Sequence, residues 1–325
     1  MKRQLVRILA AVLTALLCSN AGWSQNYPAR PVRLVVPFPP GGGTDIVART
    51  LAQKLSENFG QPVVVDNRAG ANGIIGTDQA AKAKPDGYTV LIAIAVHAIN
   101  PTLYARLPYD TRADLLPVSL LAQYPFVITV HPSVPAKGLR ELIAFAKSRP
   151  NQLSYASSGN GSGPHLGMEL FKTMTRIEMV HIPYKGSGAA MTDLVSGQVQ
   201  VFLNNFLAGM PMIKAGRLRA LAVTSAKRSH VMPELPTVAE SGAPGYSVTG
   251  WYGMLVPAGT PAAIVTTLNE AVVKALRAKD VNDRLSGEAA VPVGSTPVQF
   301  AMHLETEITK WASVIKQAGV RAENY

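Results

Sequence analysis

The stretch Val32-Arg33-Leu34-Val35-Val36-Pro37-Phe38-Pro39-Pro40-Gly41-Gly42-Gly43-Thr44-Asp45-Ile46-Val47-Ala48-Arg49 decides the fold. Its first five residues read as a short apolar strand. Val47, Leu51 and Leu55 recur at i, i+4 and i+8 and predict a helix over 44–59. The turn between them carries no charged side chain before Asp45. A strand, a bare turn and a helix start leave backbone N–H groups free at the positive end of a helix dipole. That is an anion cradle built without Lys or Arg. Gly41, Gly42 and Gly43 expose successive N–H groups and permit positive φ, the geometry of an anion nest. The plainer reading is a tight turn and nothing more.

A second stretch repeats the arrangement far along the chain. Ser157-Ser158-Gly159-Asn160-Gly161-Ser162-Gly163-Pro164-His165 follows a strand at 153–156 and opens a helix at 165–174. Two such cradles suggest two lobes gripping one small acid.

Reading outward, a strand at 63–66, a helix at 72–83 and a buried strand at 88–95 complete a βαβαβ series. Such a series implies right-handed crossovers and a parallel sheet. A second series has strands at 126–130, 153–156, 179–183 and 199–203. Its helices fall at 139–149, 165–174 and 188–196, and a strand at 218–224 closes it. A Pro- and Gly-rich stretch at 233–245 leads to a returning strand at 251–256. Two helices follow, announced by Thr260-Pro261 and Thr296-Pro297, each a capping hydroxyl before a proline at the first helical position. Phe300, Leu304, Ile308, Trp311 and Ile315 stripe the last helix for core packing, and Gly319 suits its C-cap.

About 300 mature residues suit two domains. The expected architecture is α/β and two-lobed, each lobe a mostly parallel sheet flanked by helices. Residues 26–124 and 248–325 would form lobe 1 and residues 125–247 lobe 2, with crossings near 123–126 and 247–252. Ligands of such sheets lie beyond the carboxyl ends of the strands, where both glycine-rich turns fall. A cleft between lobes is also a common ligand site.

The N-terminus predicts export. Lys2, Arg3 and Arg7 precede an apolar run at 8–17, too short to span a bilayer, and then small residues. Residues 1–24 read as a signal peptide, cleaved after Ala21 or Ser24. Cys18, the single cysteine, lies inside it, and Leu17 before it argues against lipidation. The mature chain would have no thiol, disulfide or thiolate metal site. The net charge of +11 falls by three on processing. Lys and Arg are scattered without a basic run, which argues against nucleic acid. They leave a diffuse field that attracts small anions, or serves solubility alone.

The candidate site residues carry competing readings. Thr44 caps its helix or donates to a ligand. Asp45 looks wrong beside an anion, but an acidic residue in a first turn stabilises the helix. It reads as structural first, and second as an orienter of water or a ligand ammonium. Ser157, Ser158 and Ser162 offer hydroxyls, or only turn chemistry. His165 at a helix start is unfavourable as a cation; it is a neutral donor to the cleft or a packing residue. Lys185 reads as exposed. Asn204 and Asn205 contact a polar ligand tail or form a turn.

Enzymatic alternatives fit poorly. Asn160-Gly161-Ser162-Gly163-Pro164 lacks the first glycine of a nucleophile elbow. No Gly-x-Gly-x-x-Gly follows the first strand, and there is no P-loop. The six histidines are scattered without metal-ligand spacing. No catalytic residue, cofactor or metal is expected.

Several motifs, in collinear order from Tyr27 onward, resemble the tripartite tricarboxylate transporter substrate-binding receptors, also called Bug-type periplasmic binding proteins. They are Tyr27-Pro28-Ala29-Arg30-Pro31 with the strand that follows, Gly42-Gly43-Thr44-Asp45-Ile46-Val47-Ala48-Arg49, and Lys84-Pro85-Asp86-Gly87-Tyr88-Thr89. His97-Ala98-Ile99-Asn100-Pro101, Ile182-Pro183-Tyr184-Lys185-Gly186, Ala215-Gly216-Arg217-Leu218-Arg219 and Pro257-Ala258-Gly259-Thr260-Pro261 continue the series. The resemblance implies a type II Venus-flytrap receptor in the periplasm, without enzymatic activity and expected to be a monomer. It implies a small organic acid held by backbone N–H groups, hydroxyls and waters of the loops from Phe38 to Asp45 and from Ser157 to His165. Delivery to a permease with a large and a small membrane subunit is implied too; presentation to a sensor kinase is the alternative. Two departures bear on the ligand. Gln200 and two asparagines stand where many relatives have an acidic residue. Ala95-Val96-His97 stands where relatives often carry hydroxyls, so His97 is a further candidate lining residue.

Overall fold

The computed structural model describes residues 27–287 and 289–322, the side chains of Leu207 and Ala208 excepted. The expected signal peptide, with Cys18 and both cleavage positions, lies outside the described residues. The elements in chain order are β1 (Val32–Val36), α1 (Gly43–Phe59), β2 (Val63–Asn67), a 3-10 turn (Ala71–Gly73), α2 (Ile74–Ala81), β3 (Thr89–Ile94), α3 (Val96–Leu103) and β4 (Leu115–Val130). Then come α4 (Leu139–Ser148), β5 (Ser154–Ser157), α5 (Gly163–Thr175), β6 (Val180–Pro183), α6 (Ser187–Ser196), β7 (Val201–Asn205), α7 (Phe206–Lys214) and β8 (Arg219–Val223). The chain closes with β9 (Thr249–Pro257), α8 (Ala262–Leu276), α9 (Lys279–Gly287), β10 (Val291–Pro292) and α10 (Pro297–Ala318).

The strands form a two-lobed mixed sheet in the order β2-β1-β3-β9-β4-β7-β5-β6, with β8 and β10 also paired to β4. The βαβ units supply parallel pairs: β1 with β2 and β3, and β5 with β6 and β7. The crossing strand β4 and the returning strand β9 add antiparallel pairs. One 16-residue strand, β4, serves both halves. Its residues Leu115 to Pro125 pair with β9, and its residues Phe126 to Val130 pair with β7 and β8. The strand expected at 126–130 is only its last five residues; the part before them holds Pro117 and Pro125, which are uncommon within strands. The register shift between Pro117 and Ser119 accommodates the first proline, and the second lies where β9 gives way to β7.

Both faces of β1 and β3 are covered, which explains the apolar runs Leu34 to Val36 and Val90 to Ile94. Val32, Leu34, Val36, Val90 and Ile92 face one core with Val47, Leu51 and Leu55 of α1 and Leu268 of α8. Val35, Leu91 and Ala93 face the other, which continues through Ile128, Tyr155, Leu166 and Phe171 in the second half. The α10 stripe of Phe300, Leu304, Ile308, Trp311 and Ile315 belongs to that shared core. Helix α10 packs against α3, β4 and α5 and so touches both halves.

Thr296 caps α10 in a full capping box with Gln299, and Gly319 ends it in the left-handed region at φ 64°. Thr260 does not cap α8. Pro261, extended at ψ 137°, is the cap, and the Thr260 hydroxyl instead donates to Pro257 O at 2.7 Å. The expected helix at 72–83 divides at Asn72 and Gly73, whose positive φ values break the helical path.

Candidate functional site

The register shows which strand ends meet. Ile94 at the carboxyl end of β3 pairs with Tyr252, which pairs with Ala122 of β4. Asn205 at the carboxyl end of β7 pairs with Phe126, four residues further along the same strand. Because β1 is parallel to β3, and β5 and β6 run with β7, both halves turn their carboxyl ends toward the crossing. Helices α1, α3, α5, α6 and α7 each start just after one of those ends. Their unpaired N–H groups contribute a positive potential to this region.

In the first turn, Gly41 has φ +85° and needs to be glycine, whereas Gly42 is extended at φ −83°. The turn already holds an anion: Asp45. Its carboxylate accepts from Gly41 N at 2.9 Å, Arg49 Nε at 2.9 Å and Asn67 Nδ2 at 3.0 Å. Burial works against the charged form, but the bonds from Arg49, Gly41 and Asn67 outweigh it and hold the carboxyl below its usual range. Asn67 Nδ2 also donates to Phe38 O at 3.1 Å, tying β2 to the turn. The Phe38 ring lies over Gly73 and is half-buried. The N–H groups of Gly43, Thr44 and Asp45, and the Thr44 hydroxyl, have no partner among the described residues.

In the second turn, Gly159 and Gly161 take φ +133° and +72°. Ser157, fully buried, has its Oγ 2.7 Å from His181 Nε2 and accepts from Gly159 N at 3.2 Å. Ser162 caps α5 by accepting from His165 N at 3.3 Å, and no imidazole bonds to its hydroxyl among the described residues. His165 is buried, and its Nδ1 accepts from Gly161 N at 3.0 Å. Burial first, with His181 and Lys172 adding to it, lowers the His165 pKa to about 3. The N–H groups of Ser158, Asn160 and Gly163, and the Ser158 hydroxyl, have no partner among the described residues.

The remaining candidates fall in different places. Asn205 is half-buried at the N-cap of α7, with its side chain unused for capping. Asn204 is buried beneath α7, donating to Thr129 Oγ1 at 3.1 Å. Lys185 is exposed. His97 sits in α3 rather than in a loop. It is 3 % exposed and stacks on Tyr109 at 6.4 Å, and burial lowers its pKa to about 4. Gln200 is at the amino end of β7, away from the crossing, where its Oε1 accepts from Ser154 N at 2.9 Å. It therefore does not line the region between the halves. Sequence reasoning missed Asn67 and His181, which act across strands; Arg49, four residues after Asp45, was the available signal for the first turn. No group of three or more His, Cys, Asp or Glu is placed to hold a metal among the described residues.

Two half-sheets, a shared crossing strand and amide-lined turns define a periplasmic-binding-protein fold of the solute-receptor class. The model of the tripartite tricarboxylate transporter family receptor matches residues 47–320. The chain belongs to that family of periplasmic solute receptors. It is 42 % identical to Protein BugT of Bordetella pertussis over 300 residues, 92 % of each chain. It superposes on R. palustris Rpa4515 with adipate at TM-score 0.82 and 42 % identity, covering 91 % of this chain and 99 % of that one. MatC from Rhodopseudomonas palustris with bound malate gives TM-score 0.78 at 33 % identity, covering 89 % of this chain and 100 % of that one. Among the described residues no helix is long and apolar enough to cross a membrane.

Proposed function

We propose that this chain is an exported receptor that binds a small carboxylate between its lobes and hands it to a two-subunit membrane permease. The lobes are residues 26–124 with 248–325, and residues 125–247. The observation that carries the reading is the pair of turns at the crossing. Each leaves helix-start amides unpaired, at Gly43 to Asp45 and at Ser158, Asn160 and Gly163. Such amides suit a carboxylate, and their potential needs no buried cation. The bound adipate and malate of the two solved relatives support the ligand class. Phe38, Thr44, Ser158 and Asn205 complete the contact set in this reading. Asp45 and His165 act by holding the turns. The protein works as a monomer and does not transform its ligand.

Calorimetric titration of the mature protein with adipate, malate and a panel of mono-, di- and tricarboxylates tests this. One carboxylate should bind reversibly and stoichiometrically, and long incubation should return it unchanged. Failure of every carboxylate, or release of a new product in excess of the protein, overturns the reading.

A further inference from the structure

His165 and His181 face each other as parallel rings, with centroids 3.8 Å apart and 8° between planes. They come from different elements, α5 and β6. Tyr155, the register partner of His181 on β5, extends the stack at 4.8 Å. Both imidazoles bond to the 157–162 turn: His165 through Gly161 N–H, and His181 through Ser157 Oγ. The turn itself has two glycines at positive φ and therefore little conformational preference of its own. Something outside it must select the conformation seen.

We propose that His165 and His181 are positioning residues of the second turn, holding it so that the Ser158, Asn160 and Gly163 amides stay free for a carboxylate. The inference rests on the receptor reading for its purpose, but its physical content does not. Because Gly161 N–H donates to Nδ1, the His165 ring carries its proton on Nε2. Ser157 Oγ accepts from Gly159 N, and its proton goes to Gly159 O at 3.1 Å or to His181. A neutral His181 satisfies either case. Two imidazolium rings in this stack would repel, and a protonated Nδ1 of His165 would release Gly161. The charged groups around the pair are Glu169 and Lys172 of α5, which are paired with each other at 2.7 Å; the Tyr155 hydroxyl of β5 donates to Glu169. Burial is the first cause holding both rings neutral.

The test compares His165→Phe, which keeps the ring stack but has no acceptor, with His165→Asn, whose Oδ1 stands where Nδ1 stood. Amide hydrogen exchange of the unliganded protein at neutral pH reads the turn directly. His165→Phe should speed exchange at Gly161 by about fivefold to tenfold, the loss expected for one hydrogen bond, and His165→Asn should stay near wild type. Titration with adipate should show the same order, with rescue by asparagine. Unchanged Gly161 exchange in His165→Phe overturns the proposal, as does an asparagine variant that behaves like phenylalanine. If the phenylalanine variant does not fold, nitrogen chemical shifts of the wild-type imidazoles decide. A His165 proton on Nδ1 would overturn the proposal, and one on Nε2 supports it. Wild-type protein that binds none of the carboxylates in the panel counts against the receptor reading and leaves the exchange result standing.

Discussion

Asp45 takes the Gly41 amide of the first turn with its own carboxylate and leaves the next amides free. Gly41, Arg49 and Asn67 all converge on it, so its charge is the keystone of the turn and not a repelling neighbour. Asp45→Asn removes the ion pair and one acceptor from a site that is 3 % exposed. The expected loss is about 1–3 kcal/mol in chemical denaturation, together with weaker carboxylate binding. An unchanged midpoint would mean that the three contacts are replaced by water without cost. His97 gives a contrasting case. Among the described residues its two ring nitrogens are buried without hydrogen-bond partners, so it does not contribute as a polar residue. The folded pKa values of His97, His181 and His165 are lowered to about 4, about 4 and about 3, from 6.5. In the window between those values the unfolded chain binds protons that the folded chain refuses. Stability therefore falls as pH drops from 6.5 toward 4. Thermal midpoints measured across that range should fall, and His97→Phe should flatten part of the slope without lowering the neutral-pH midpoint. A His97→Phe curve parallel to wild type would rule out His97 as a source of acid sensitivity.

At the scale of elements, the first turn is held from below by α2. A Cβ at Gly76 would lie 2.7 Å from Arg68 O and 2.8 Å from Pro37 Cα. Both are backbone atoms, so neither can swing away. Gly76 is helical and not at positive φ, so the constraint is one of space alone. Gly76→Ala should push α2 off the end of β1, costing about 1–3 kcal/mol as an overpacked contact. Carboxylate affinity should fall with it, because Pro37 leads directly into the turn. Gly60→Ala is the comparison: nothing lies within 4 Å of its Cβ, and only its φ of +63° is strained. It should lower stability without touching affinity. Equal effects of the two variants on affinity would separate α2 from the site.

For the whole molecule, the expected consequence is closure. The two turns belong to opposite halves, linked by β4 and by the start of β9, where Gly250 pairs with Tyr124 and Thr249 with Pro125. A ligand that touches both turns favours the arrangement that brings them together, and only that difference in contact can shift the population. Small-angle scattering should show a smaller radius of gyration with a saturating carboxylate than without. Ser158→Ala should weaken binding while leaving the unliganded curve unchanged. Helix α10 packs on α3 and α5 together, and beyond it Ala322 N and Arg321 O reach Leu103 O and Asn160 Nδ2, contacts that any such motion has to keep or break. An unchanged radius at proven saturation would favour a rigid pocket formed in advance.

What the sequence determined by itself is local and periodic. The strand at Val32–Val36, the glycine turns, the helices behind them and the Thr296–Gly319 caps all follow from neighbours a few residues apart, where period and capping chemistry act. A double crossing near 123–126 and 247–252 is expected from the sequence because two α/β series and a returning strand leave few topologies. The long β4 is not, because its prolines are tolerated only through a register shift and a change of partner strand that no local pattern records. Nor are the bonds of Asn67 to the first turn or the His165–His181 stack on the second. Those contacts join residues on separate elements, and their geometry exists only once strand register has brought β2 beside β1 and β6 beside β5. Tertiary structure alone decided which glycine amides remain free, because it decided which were already taken by Asp45 and His165.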